Sequence, residues 1–170
     1  MSKEDSHKFN AKYEITYHDL LKNIYEGRIS LIREFERVFG KDKVHKVVEE
    51  FYAKQSINSC KARMEKLENP PETIDELKDF LKSLGDNDFS KQTQSDFWPE
   101  QKPDQIEFRT TECLWADVFR ELDASDLGEI MLCSTDFVTA HCFHPKLRLH
   151  RTQTLMAGDE YCAFEYALED

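Results

Sequence analysis

Long apolar runs are missing from this 170-residue chain, and nothing approaches the roughly 20 consecutive apolar residues that a membrane-spanning helix needs. No secretory leader or lipidation motif is found, so the expectation is a soluble cytoplasmic protein without a membrane partner. Positive charge is also scarce: 23 Lys and Arg against 34 Asp and Glu leave a net charge of -11. Such a surface repels a phosphate backbone, which argues against a nucleic-acid partner but not against one buried cation gripping a small anion. Five Gly and five Pro leave no low-complexity segment. Also absent are the Walker loop, the dinucleotide fingerprint, HExxH, GxSxG and CxxC, which removes the common nucleotide, zinc-protease, serine-hydrolase and dithiol sites. Cys60, Cys113, Cys133, Cys142 and Cys162 are an odd number with no close pair. Without a leader they read as reduced intracellular thiols.

What is present is strong periodicity. Residues 1–12 are polar and read as a loose lead-in. From Tyr17, the residues Leu20, Leu21, Ile24, Leu31, Ile32, Phe35, Val38 and Phe39 fall at helical spacing, with Gly40 as the stop. Val44, Val47, Val48, Phe51 and Tyr52 predict the buried face of a second helix reaching about Leu67. Asn69-Pro70-Pro71 breaks the chain, and Thr73 with Glu76 forms a capping-box signature for a third helix ending at Gly85. Residues 86–104 read as a linker whose Phe97-Trp98 pair docks on a neighbouring surface.

After that the pattern changes. Ile106, Phe108 and Thr110 alternate as in a strand, and Leu114 to Leu122 follow as a helix. A further helix is expected from Ser125 to Cys142, with Leu127, Ile130, Met131, Phe137 and Val138 as its buried stripe and Pro145 beyond its end. Leu147–Leu155 and Tyr161–Leu168 read as two strands joined around Gly158. The fold class is therefore α+β, with a helical region over 1–85, a linker over 86–104 and an α+β region over 105–170 carrying a small antiparallel sheet and two helices.

Several residues can carry chemistry, and each also has an ordinary structural use. Cys113 stands where strand gives way to helix, and the free amides there would favour its thiolate; it can equally fill a gap beside Trp115. Cys133 and Asp136 are three apart on a helix and so neighbour one another at the edge of the apolar stripe. His141 and His144 have the same spacing, but His144 precedes Pro145 and leaves the helix, which weakens them as a metal pair. Cys162 shares a strand face with Phe164 and Tyr166, as a core residue would. Asp159 beside Gly158 has the composition of a turn, and Arg151 can grip a carboxylate or lie in solvent.

The ordered set TECLWADVF, CSTD, HP, RTQTL and GDEYCAF resembles the L-2-amino-thiazoline-4-carboxylic acid hydrolase family over roughly residues 105–168. The resemblance implies a hydrolase that opens a five-membered cyclic isothiourea bearing a carboxylate, breaking a carbon–sulfur bond to give N-carbamoyl-cysteine. For that reaction the helix-start position makes Cys113 the leading nucleophile, with Cys133 as its competitor and Asp136 as general acid or base. Arg151, Asp159, Cys162 and His144 would surround the substrate, with His144 standing where the resemblance leads one to expect a small polar residue. No cofactor is implied. Two other readings stay open: a non-catalytic small-molecule-binding domain, and a zinc or iron sensor ligated by Cys113, Cys133 and Cys162. A homo-oligomer is compatible with all of them.

Overall fold

A computed structural model describes residues 13–169, so the lead-in expected over 1–12 lies outside the described residues. Helix α1 spans Tyr17–Phe39, started by Thr16, whose hydroxyl accepts from the Asp19 amide at 3.0 Å. Gly40 ends it with φ +87°, a conformation that favours glycine, and α2 follows at once over Lys41–Met64. The core takes only part of the predicted stripes. In α1 the buried residues are Leu21, Tyr25, Ile29 and Ile32, and in α2 they are Val44 and Cys60. Leu31, Phe35, Val38, Phe39, Val47 and Phe51 remain exposed. The two helices carry more apolar residues than one face can bury.

Helix α3, Ile74–Gly85, opens with the predicted capping box: the Thr73 hydroxyl accepts from the Glu76 amide at 3.3 Å and the Glu76 carboxylate accepts from the Thr73 amide at 3.0 Å. The stretch expected to be a linker is instead structured. Asn87 caps a short helix α4, Asp88–Thr93, and strand β1, Gln94–Phe97, follows directly. A four-residue polar edge strand has no alternation to reveal it. Strand β2, Gln105–Cys113, runs straight into α5, Leu114–Glu121.

The helix expected from Ser125 to Cys142 is interrupted. Helix α6, Ser125–Gly128, passes into a π-helical turn at Glu129–Cys133, and α7 resumes over Thr135–Phe143. The wider turn shifts the helical phase, so Phe137 is exposed while Ala140 is buried. Gly128 lets α6 lie close to the core, since a Cβ there would displace the end of the Met156 side chain and touch the Phe119 ring at 3.0 Å. The strand predicted for 147–155 is shorter than expected: β3 covers Leu147–His150, and the chain then turns at Gly158, φ +96°, before β4, Cys162–Leu168. The sheet is antiparallel throughout, in the order β1-β2-β4-β3.

One expectation about the cysteines is corrected. Cys60 of α2 and Cys142 of α7 form a disulfide, with Cα atoms 6.3 Å apart and 82 residues between them in sequence. Packing of α2 beside α7 brings them together, which no local spacing discloses. Cys113, Cys133 and Cys162 remain free thiols. Closing so long a loop restricts the unfolded chain; the variant with Cys60→Ser and Cys142→Ser is expected to lose about 2–4 kcal/mol in urea unfolding, with no further loss when a reductant is added.

Candidate active site

The sheet registers build the site one rung at a time. Ile106 pairs with Tyr166, Phe108 with Phe164 and Thr110 with Cys162, so alternate residues of β2 and β4 share one face. Asp96 of β1 pairs with Thr110, and an irregularity between Ser95 and Asp96 sets its direction. The result is a rung of Asp96, Thr110 and Cys162 across three strands. Beside it stands a stacked aromatic wall: Trp98 on Phe108 at 4.6 Å between centroids and Phe108 on Phe164 at 4.5 Å.

Helix α7 and the π-helical turn face this wall and enclose a cavity of about 570 Å³. Its lining includes Cys113, Cys133, Asp136, Arg151 and Cys162, together with Asp96, Trp98, Phe108, Thr110 and Thr139. Five sequence-predicted residues from four separate segments thus meet at one cavity. Asp159 and His144 do not line it. The Asp159 carboxylate accepts from the Thr154 amide at 2.8 Å and closes its own turn. His144, in extended backbone before the proline, accepts from the Lys146 amide at 3.2 Å through Nδ1. Asp96 was not anticipated, because its segment reads as a linker and its place depends on strand pairing.

Arg151 is the most constrained charge at the cavity. Its side chain is 3 % exposed, held between Phe137 at 5.0 Å and Phe164 at 5.2 Å from the ring centroids. One Nη group donates to the Asp136 carboxylate at 2.6 Å and the other to the Cys133 carbonyl at 2.6 Å. That carbonyl is free to accept because it lies at the end of the π-helical turn. Asp136 differs from its partner: surrounded by protein, its side chain still keeps 39 % exposure toward the cavity. Burial pushes its carboxyl above the usual value of 3.8, and Arg151 pulls it back only in part. On the opposite wall the Asp96 carboxylate accepts from Thr110 Oγ1 at 2.7 Å and from the Gln94 side-chain Nε2 at 3.1 Å.

Cys113 departs from the lowered pKa expected at a helix start, and the other two thiols are raised as well. Burial raises Cys113 despite the opposing amides of Ala116 and Trp115 at the start of α5. Cys133 is raised by burial and by the negative charge of Glu129. Burial takes Cys162 up to about 11, although its sulfur accepts from the Leu155 amide at 3.2 Å. Desolvation outweighs the helix start here.

Among the described residues, donor atoms gathered within 4.8 Å of one another occur at Glu36, His45 and Asp126 and not at Cys113, Cys133 and Cys162. The carboxylates of that other cluster are already bonded to Arg33 and Lys41, which neutralise the charge a metal would meet. No helix among the described residues is long and apolar enough to cross a membrane.

Protonated thiols alkylate slowly. At pH 8, iodoacetamide should therefore modify Cys113, Cys133 and Cys162 about tenfold or more slowly in the folded chain than in the urea-unfolded chain, as read by mass spectrometry of the labelled peptides. The gap should narrow as pH rises above 9.

No curated protein matches the chain. A family model does, over residues 19–166, which includes every segment that lines the cavity. The chain belongs to the L-2-amino-thiazoline-4-carboxylic acid hydrolase family.

Proposed function

We propose that this chain hydrolyses a small cyclic isothiourea bearing a carboxylate, of the kind the family name describes, with Asp136 handling the proton. The observation that carries the reading is the unequal burial of one ion pair: Arg151 is enclosed at 3 % exposure and Asp136 opens to the cavity at 39 %. The buried cation therefore fixes the carboxylate, and the carboxylate meets the substrate. This reassigns Arg151. Two of its nitrogens are occupied and its face is covered by two rings, so it positions Asp136 instead of gripping a substrate carboxylate.

An isothiourea carries an amidine-like group that is readily protonated, and Asp96 and Asp136 are the cavity-lining carboxylates suited to meet it. The cation for the substrate carboxylate is Lys82, exposed beside an opening that shares Asp96 and Trp98 with the cavity, its ammonium 5.1 Å from the Trp98 ring. Attack by water fits the raised thiols better than attack by a thiolate. With the amidine already protonated, Asp136 takes a proton from water as the oxygen bonds to the carbon between nitrogen and sulfur, which gives a neutral tetrahedral intermediate. On collapse Asp136 gives that proton to the departing sulfur, and the new hydroxyl returns its own proton to the freed carboxylate, which releases it to solvent. The products are an open urea and a thiol, which for the substrate in the family name is N-carbamoyl-cysteine. A second reading keeps Cys113 as nucleophile, because two backbone amides favour its thiolate against burial.

Turnover of cyclic isothioureas, followed by release of free thiol, tests both routes. Asp136→Asn is expected to reduce kcat by about 10²–10⁴-fold, and Cys113→Ala to keep at least about a tenth of it. Loss of all turnover in Cys113→Ala, with Asp136→Asn still active, would transfer the chemistry to the cysteine. Because Asp136 must be ionised to act as base, kcat/KM should rise with pH through a midpoint above 3.8. Tight binding of a panel member without turnover would support a binding domain instead.

A further inference from the structure

Helices α1 and α2 leave an apolar face that the fold does not use. Ile24, Leu31, Phe35 and Val38 follow one another on α1 at steps of seven, four and three residues, the spacing of a helix–helix seam. They are 38 %, 55 %, 43 % and 53 % exposed, and Phe39, Val47 and Phe51 extend the face at 58 %, 61 % and 54 %. A groove of about 1030 Å³ lies between the helices, from Phe39 and Lys43 near their junction to Arg28 and Gln55 at its far end. Of the buried stripe of α1, Ile32 borders the groove while Leu21, Tyr25 and Ile29 do not line it, so this is a second apolar surface on the same helix.

We propose that this face pairs with a second copy of the chain, helix against helix. Size is the first argument. Large apolar side chains offer about 150–250 Å² each when aromatic; seven residues roughly half exposed, with their neighbours, approach the roughly 800 Å² per partner of a stable interface. A face of that extent on a monomer is a mark of an interaction surface.

The second argument is Gly27. It lies in the middle of α1, where glycine costs a helix about 1 kcal/mol relative to alanine, yet a Cβ there would meet nothing within 4 Å. No packing inside the chain calls for it, whereas a helix approaching from outside has room beside it. Charge selects the kind of partner. The two helices expose Arg28 and Lys43 together with Glu34 and Glu50, a mixture that can complement itself when the chain is doubled. A lipid surface would instead favour a cationic rim, and the net charge of -11 opposes an anionic membrane.

Sedimentation equilibrium and light scattering from about 1 to 100 μM test the proposal. The 170-residue chain is expected at twice the monomer mass at the upper end, while Leu31→Glu and Phe51→Glu each return it to the monomer mass. Because both positions are exposed, far-UV circular dichroism of these variants should match that of the unaltered chain. Gly27→Leu, which fills the open space, is expected to weaken association at least tenfold. A wild-type monomer at 100 μM overturns the proposal, and so does a monomer that floats with phosphatidylcholine vesicles or a dimer that all three variants leave unchanged.

Discussion

One buried guanidinium organises the site. Arg151 lies between Phe137 and Phe164 and bonds both the Asp136 carboxylate and the Cys133 carbonyl. It thereby ties the end of β3, the π-helical turn, α7 and β4 together. An unpaired charge in such surroundings is expensive, and Arg151 offsets part of that cost for the Asp136 carboxylate. Each contact depends on a local departure from regular structure. The π-helical turn frees the carbonyl, the early end of β3 lets Arg151 leave the strand, and the altered phase of α7 puts Phe137 outside its ring.

The electrostatic outcome is a cavity with two carboxylates, one enclosed cation and three thiols kept protonated by burial. Its polarity favours a cationic amidine over a free anion, and its stacked wall of Trp98, Phe108 and Phe164 suits a small planar ring. Cysteines at a candidate active site invite assignment as nucleophiles, but desolvation acts on a thiolate as it does on any anion. The acidic group with a cation placed against it is Asp136.

The sequence disclosed elements where the physical signal is local. The Thr73 and Glu76 capping box, the stop at Gly40, the passage from β2 into α5 at Cys113 and the turn at Gly158 all stand where their residue types require them. The α+β class and the family were legible too, the latter from the order of short segments. Cys113, Cys133, Asp136, Arg151 and Cys162 do converge on the cavity. What escaped depends on partners far away in the chain: β1 with Asp96, the Cys60–Cys142 bond, and the choice between two apolar stripes on α1. The π-helical turn escaped for a different reason, since insertion of one residue into a helix leaves the spacing of apolar residues almost unchanged over a short span.

The central claim is that Asp136 is a clamped carboxylate whose proton affinity is raised by its surroundings and moderated by Arg151. Carbon-13 NMR titration of its side-chain carboxyl, assigned by difference with Asp136→Asn, measures this directly. The account predicts a midpoint above 3.8 in the unaltered chain and a further rise in Arg151→Met, where the moderating cation is gone. A midpoint at or below 3.8, or one that Arg151→Met leaves in place, would contradict it.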